Sequence, residues 1–303
     1  MKKITIASRE SKLALWQTYF VRDVIQNKLD VDCEIITMKT QGDVILDQPL
    51  SQIGGKGLFM KELEKSMHKG ETNIAVHSLK DVPFVLPSRF CLASFMPRED
   101  PRDALMSNNF TSIDDLPQGA VIGTSSLRRK SQLLNYRNDL IIKDLRGNVQ
   151  TRLSKLDSGA YDGIILAAAG LIRLGLESRI AQYIPIKISM PAVGQGIIVI
   201  EALENEIELI HSLKKLNDKT SSIVATAERA FNQELKGSCH MAIAAYATVA
   251  ANGVINLQAM VASAGGKEIL KMSHSGINPM EVGIELAKQM IDNGAYEILK
   301  KLI

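Results

Sequence analysis

Apolar and polar positions along the chain alternate between two spacings. Ile4-Thr5-Ile6-Ala7 is a short β-rich run, and Leu13, Ala14, Trp16, Phe20, Val21, Val24 and Ile25 then recur at helical spacing on one face. Residues 33–38 read as the next strand. Gly54-Gly55-Lys56-Gly57 is a flexible segment, followed by a helix that turns Leu58, Phe59 and Leu63 inward and stops at Gly70; 73–78 is a third strand. The series restarts with strands at 120–124, 140–145 and 162–167, separated by helices at 126–136 and 148–158. Alternating strands and helices predict two similar α/β lobes with mostly parallel sheets, whose sites lie at the carboxyl ends of strands. The apolar run 197–202 fits either sheet. A helix over 204–216 ends at the polar stretch 217–220, a linker, and the remainder changes character. It reads as a helix at 222–235, three alternating strands near 242–249, 254–263 and 268–275, and a helix at 279–293, which is the pattern of a separate antiparallel α+β domain.

The length of 303 residues suits such a multi-domain chain. With 46% hydrophobic and 23% charged residues, the composition excludes disordered, collagen-like and membrane-spanning classes. Arg9, Glu10 and Lys12 interrupt any secretory hydrophobic segment, so a cytosolic location is expected. Cys33, Cys91 and Cys239 are odd in number and lack CxxC spacing, which suggests neither a disulfide framework nor a metal site. The net charge of +3 is too small to imply nucleic acid. Its distribution is more informative: seven of thirteen arginines (Arg128, Arg129, Arg137, Arg146, Arg152, Arg173 and Arg179) fall within 128–179. They mark either a solvated basic face or an anion site.

Both lobes repeat one detail. An apolar strand runs into hydroxyls and arginine, as Ala7-Ser8-Arg9-Glu10-Ser11 in one and Gly123-Thr124-Ser125-Ser126-Leu127-Arg128-Arg129 in the other. Helix-start N–H groups beside hydroxyls and guanidinium make a carboxylate or phosphate cradle, although a Ser or Thr at such a turn also serves as a plain helix cap. Arg146-Gly147-Asn148 ends another strand, and Arg152 follows about one turn later. His77-Ser78-Leu79-Lys80-Asp81-Val82-Pro83 closes the third strand and puts Lys80 and Asp81 at the sheet's carboxyl edge. That pair is either a surface ion pair of little consequence or, across a cleft from the arginines, a carboxylate that takes protons and stabilises a cation. Cys239, in the loop Lys236-Gly237-Ser238-Cys239-His240, is either a small buried hydrophobe or an accessible nucleophile. Two functions fit these residues: an enzyme acting on a polyanion, with Asp81 as acid/base and Cys239 as covalent anchor, or a non-catalytic two-lobed polycarboxylate binder.

Over essentially its whole length the sequence resembles the porphobilinogen deaminase family. The resemblance is carried by IASRESKLALWQ (6–17), GDVILD (42–47), GGKGLF (54–59), AVHSLKDVP (75–83), REDPRDA (98–104), IGTSSLRR (122–129), LRGNVQTRLSKLD (145–157), PAVGQG (191–196) and the Cys239 loop. It implies an α/β fold of two type II periplasmic-binding-protein-like lobes, at 1–96 with 197–215 and at 100–192. A small α+β domain with a three-stranded antiparallel sheet follows at 219–303. It further implies a transferase of haem biosynthesis that joins four porphobilinogen molecules into linear hydroxymethylbilane with loss of ammonia. A dipyrromethane cofactor would be thioether-linked to Cys239, and Asp81 would be catalytic. Ser78, Lys80, Thr124, Ser126, Arg128, Arg129 and Arg146 would hold the cofactor, and Arg9, Ser11, Gln17, Phe59, Arg146, Arg152 and Arg173 the substrate. The expected protein is a monomer without metal, membrane or nucleic-acid partner. Gln41 and Gln52, where relatives carry arginine and lysine, and His240, where glutamine is usual, are local departures.

Overall fold

The computed structural model describes residues 3–40, 42, 60–237 and 241–300. The glycine segment 54–57, Phe59, Gln41, Gln52, Cys239 and His240 lie outside the described residues. The chain divides into two compact units, Met1–Glu99 with Ile197–Ser222, and Asp100–Gly196 with Ile223–Ile303.

The first unit is built on β1 (Lys3–Arg9), β2 (Asp32–Met38), β3 (Ile74–Ser78), β4 (Phe90–Phe95) and β10 (Ile198–Leu203), in the order β2-β1-β3-β10-β4. β1 is parallel to β2 and β3, while β10 runs antiparallel between β3 and β4, so the run left open by its sequence belongs to this sheet. Strand alternation sends Ile4, Ile6, Ile74, Val76, Ile198 and Ile200 to one face, under Val21 and Ile25 of α1 (Lys12–Leu29) and Leu209 and Leu213 of α6 (Ile207–Lys214). The other face sets Ala7 and Ala75 against Leu63 and Met67 of α2 (Lys61–His68). Each large apolar side chain so buried contributes about 1.5–3 kcal/mol.

The second unit holds β5 (Asp103–Met106), β6 (Val121–Gly123), β7 (Ile141–Lys143), β8 (Gly163–Ala167) and β9 (Ile180–Tyr183), ordered β7-β6-β8-β5-β9. β6 is parallel to β7 and β8, and β5 is antiparallel to β8 and β9. This is the order of the first sheet, with β5 in the place of β10: in each lobe a strand arriving from outside the local βαβ series is inserted antiparallel beside the third strand. That shared topology is the one expected of two type II periplasmic-binding-protein-like lobes. Around the second sheet lie α3 (Leu127–Tyr136), α4 (Val149–Asp157) and α5 (Ala168–Arg173).

The predicted three-stranded antiparallel sheet is present as β11 (Ala242–Val249), β12 (Ile255–Ala262) and β13 (Ile269–Gly276). Ala242, Ala244, Met260 and Ala262 share a core with Met190 and Leu127, which ties this sheet to the second unit. α7 (Lys219–Glu234) and α8 (Pro279–Asp292) pack closely where α8 carries a glycine. A Cβ on Gly283 would overlap the carbonyl oxygen of Ala227 and sit 2.7 Å from both Ala230 Cβ and Phe231 N. No helix among the described residues is long and apolar enough to cross a membrane.

A Gly283→Val substitution has nowhere to place its side chain and should destabilise the second unit by about 1–3 kcal/mol or more. Urea unfolding followed by circular dichroism checks this; an unchanged midpoint would mean that the two helices separate freely.

Candidate active site

In the first unit the chemistry gathers where β3 ends. Ser78 closes the strand and Leu79–Asp81 form one 3₁₀ turn. The turn is pinned by its buried member: Leu79 N donates to Ile197 O at 2.9 Å, and Val82 N donates to Leu79 O at 3.1 Å. With Leu79 held inward, Asp81 is exposed, and among the described residues it has no hydrogen-bond or ion-pair partner. Ser78 Oγ lies 2.9 Å from Gln17 Nε2, which donates to it. Gln17, expected to touch substrate, is buried on α1, and its side chain orients Ser78. Ser11 caps α1 by accepting from Ala14 N at 3.3 Å, and Arg9 stands half-buried at the end of β1.

The second unit places one carboxylate under two arginines. Arg128 and Arg129 open α3 and are only 5% and 6% exposed, and Asp103 on β5 is fully buried. Arg128 Nη1 donates to Asp103 Oδ2 at 2.7 Å, while Arg129 Nε and Nη2 donate to Oδ1 at 2.9 and 2.8 Å. Ser189 Oγ and Gln195 Nε2 complete the shell at 2.8 and 3.1 Å. Burial by itself would raise the Asp103 carboxyl, but the flanking guanidiniums hold it far below the usual carboxylate range. The two guanidiniums share this one carboxylate at a helix start. Carbonyls fix the guanidinium planes, since Arg128 Nη1 also donates to Met190 O at 2.6 Å and Arg129 Nη1 to Ile165 O at 2.8 Å. Asp103, Ser189 and Gln195 escaped the sequence reading, although the REDPRDA stretch held an acidic residue with no assigned cation.

The remaining predicted residues are distributed around this lobe. Ser126 caps α3, accepting from Arg129 N at 3.5 Å, and buried Thr124 accepts from Ser126 N at 3.2 Å, so both hydroxyls shape the helix start. Arg146 and Arg152 are half-buried at the turn into α4, with Arg152 Nε donating to Gly147 O at 2.8 Å. Gly147 has φ +112°, and a Cβ there would meet Thr151 Cβ at 2.7 Å, so the turn that presents Arg146 requires glycine. Arg173, expected on substrate, is buried and donates to Gly196 O at 2.6 Å.

A carboxylate-bearing pyrrole pair fits this residue set: arginines, ordered N–H donors and hydroxyls at helix starts are what its acetates and propionates need. The thiols discriminate as well. Burial pushes Cys33 up to about 11 and also raises Cys91, so neither is an activated nucleophile. Phe59 and Cys239 lie outside the described residues.

Residues 4–227 match the family model described as "Porphobilinogen deaminase, dipyromethane cofactor binding domain", and residues 222–292 match "Porphobilinogen deaminase, C-terminal domain". The chain belongs to the porphobilinogen deaminase family. Porphobilinogen deaminases of Francisella tularensis subsp. holarctica (strain FTNF002-00 / FTA) and subsp. novicida (strain U112) are each 67% identical over 300 residues, 99% of this chain and 100% of theirs. Among solved structures, the methionine binding protein MetQ aligns with TM-score 0.47 at 12% identity, over 71% of this chain and 89% of that one. A putative methionine-binding lipoprotein from Bacillus subtilis aligns at 0.44 and 12%, over 72% and 91%.

In this porphobilinogen deaminase family member, Asp103→Asn removes the carboxylate charge that two buried guanidiniums share and should cost about 3–5 kcal/mol of stability. Because the folded carboxyl lies below its ordinary value of 3.8, its stabilisation is complete above that pH and is lost as pH falls below it. Denaturant titrations from pH 7 down to 2.5 should show the wild type converging on the variant only below about pH 4. A constant gap across the range would contradict the assignment.

Proposed function

We infer that the chain is a hydroxymethylbilane synthase, a transferase that joins four porphobilinogen molecules head to tail with release of ammonia. The product is linear hydroxymethylbilane, built on a dipyrromethane primer in tetrapyrrole and haem biosynthesis. The observation that carries the residue roles is the Arg128–Arg129–Asp103 cluster. It supplies guanidiniums held rigidly at a helix start, in a family whose members handle chains gaining two carboxylates with every pyrrole. The dipyrromethane, attached through the Cys239 sulfur, supplies the terminal pyrrole carbon on which elongation begins.

Within that reading, Arg128, Arg129, Arg146, Thr124, Ser126, Ser78 and Lys80 bind the primer. Arg9, Ser11, Phe59, Arg152 and, through the loop at Gly196, Arg173 serve the incoming substrate. Gln17 acts by orienting Ser78. Loss of ammonia from porphobilinogen leaves a cation, and Asp81, whose carboxylate is neutralised by no neighbour among the described residues, stabilises that charge and accepts the pyrrole proton afterwards. Substrate binding would cover Asp81 and strengthen its field by removing water. The chain is expected to work as a cytosolic monomer without a metal or nucleic-acid partner.

Two measurements test these roles. Asp81→Asn protein, folded and loaded with primer, should consume porphobilinogen roughly 10²–10³-fold more slowly in a single turnover. A near-normal rate removes Asp81 from the chemistry. Arginine variants should separate by stage: Arg128→Leu and Arg129→Leu impair primer assembly, whereas Arg9→Leu and Arg146→Leu impair initiation or elongation. Mass spectra after limited substrate resolve these ladders, and identical ladders in all four variants would refute the division.

A further inference from the structure

One buried ion-pairing couple in the first unit takes no part in substrate binding. His77 Nε2 and Glu201 Oε2 are 2.9 Å apart on neighbouring strands β3 and β10, with side chains 6% and 0% exposed. The antiparallel register sets Val199 opposite His77 and Ala75 opposite Glu201, so the couple bridges the strands diagonally on the face covered by α2. The second oxygen, Glu201 Oε1, is buried with no hydrogen-bond partner among the described residues. A fully buried carboxylate with one oxygen unpaired among the described residues is costly to keep, so it needs a role.

Its location supplies one. His77 directly precedes Ser78, and three residues later stands Asp81. The same two strands fix the turn between them, with Ile198 opposite Ser78 and Leu79 N donating to Ile197 O. We propose that His77 and Glu201 are positioning residues, a buried bridge that locks the carboxyl end of β3 against β10 and thereby aims Asp81. The inference rests on the catalytic reading of Asp81. The couple touches no substrate; it acts through the turn.

Other charged groups surround the couple. From α2 comes Glu64, with Lys61 beside it; from β1, on the same face by alternation, Arg9; from the β4 side, Cys91, with Glu204 of the segment after β10 near it. Burial, and then the Glu201 charge, push Glu64 up to about 7, while His77 and Lys61 oppose the rise. Loss of the Glu64 proton therefore places a further negative charge beside the couple.

The test uses the full-length chain, shown to be folded and primer-loaded, with kcat and KM measured from pH 6 to 9. Glu201→Gln keeps the shape and a hydrogen bond but removes the charge. It should lower kcat roughly ten- to a hundredfold, with KM within about twofold, because binding is made by other residues and only aim is lost. Glu64 is half-exposed, so Glu64→Gln endangers the fold least. It mimics the protonated acid, so its kcat should match the wild type at pH 6 and differ from it by about twofold or more at pH 8, once Glu64 has ionised in the wild type. Normal kcat in Glu201→Gln at every pH, superimposable profiles for Glu64→Gln, or equal changes in kcat and KM would overturn the proposal. Asp81→Asn in the same assay separates the two levels. If it is slow while the other variants are normal, only the positioning role falls; if it is itself near normal, the Asp81 reading falls and the positioning role with it.

Discussion

The second lobe depends on a single buried carboxylate. Asp103 takes hydrogen bonds from two guanidiniums, a serine and a glutamine, joining β5, the start of α3 and the segment 189–195 at one point. Such a cluster is expensive to desolvate and tolerable only because every partner is in place. What it provides is orientation. Surface arginines spend side-chain entropy when they bind an anion, whereas Arg128 and Arg129 have already lost theirs in the fold. The two guanidiniums are therefore already fixed at the start of α3 by the fold itself.

The first lobe solves the opposite problem. Asp81, the proposed catalytic carboxylate, is exposed and without a partner among the described residues, on a turn held through buried Leu79 and through Ser78, which Gln17 orients. The polar couple beneath that turn, His77 with Glu201, lies on the face that also carries the apolar residues Ala75, Leu63 and Met67. One unit commits its carboxylate and orders its cations, and the other orders the backbone around an exposed one.

Much of this was legible in the sequence. The βαβ series, the three C-terminal strands and the helix starts at Ser11, Ser126 and Asn148 followed from periodicity and capping residues, because those signals are local. The capping alternative held for Ser11 and Ser126, which do cap their helices. β5, four buried residues with no alternation, and β9, which pairs only with β5, carried no periodic signal; their strand character comes from pairing partners distant in the chain. For the same reason the arginine cluster was visible as a count but its organiser was not: Asp103 meets Arg128 across 25 residues and Ser189 across 86. The burial of Gln17 and Arg173 was likewise hidden, since polar residues give no sign in sequence that their partners are internal.

The central claim is that a dipyrrole primer, held by the Arg128–Arg129 pair, is carried on Cys239 and not on either buried thiol. Intact-mass measurement of the purified full-length chain, followed by peptide mapping, tests it directly. The account predicts a covalent excess of two pyrrole units confined to the peptide containing Cys239, with Cys33 and Cys91 unmodified. A chain that turns over porphobilinogen at a normal rate while carrying no added mass, or carrying it at Cys33 or Cys91, would contradict the account.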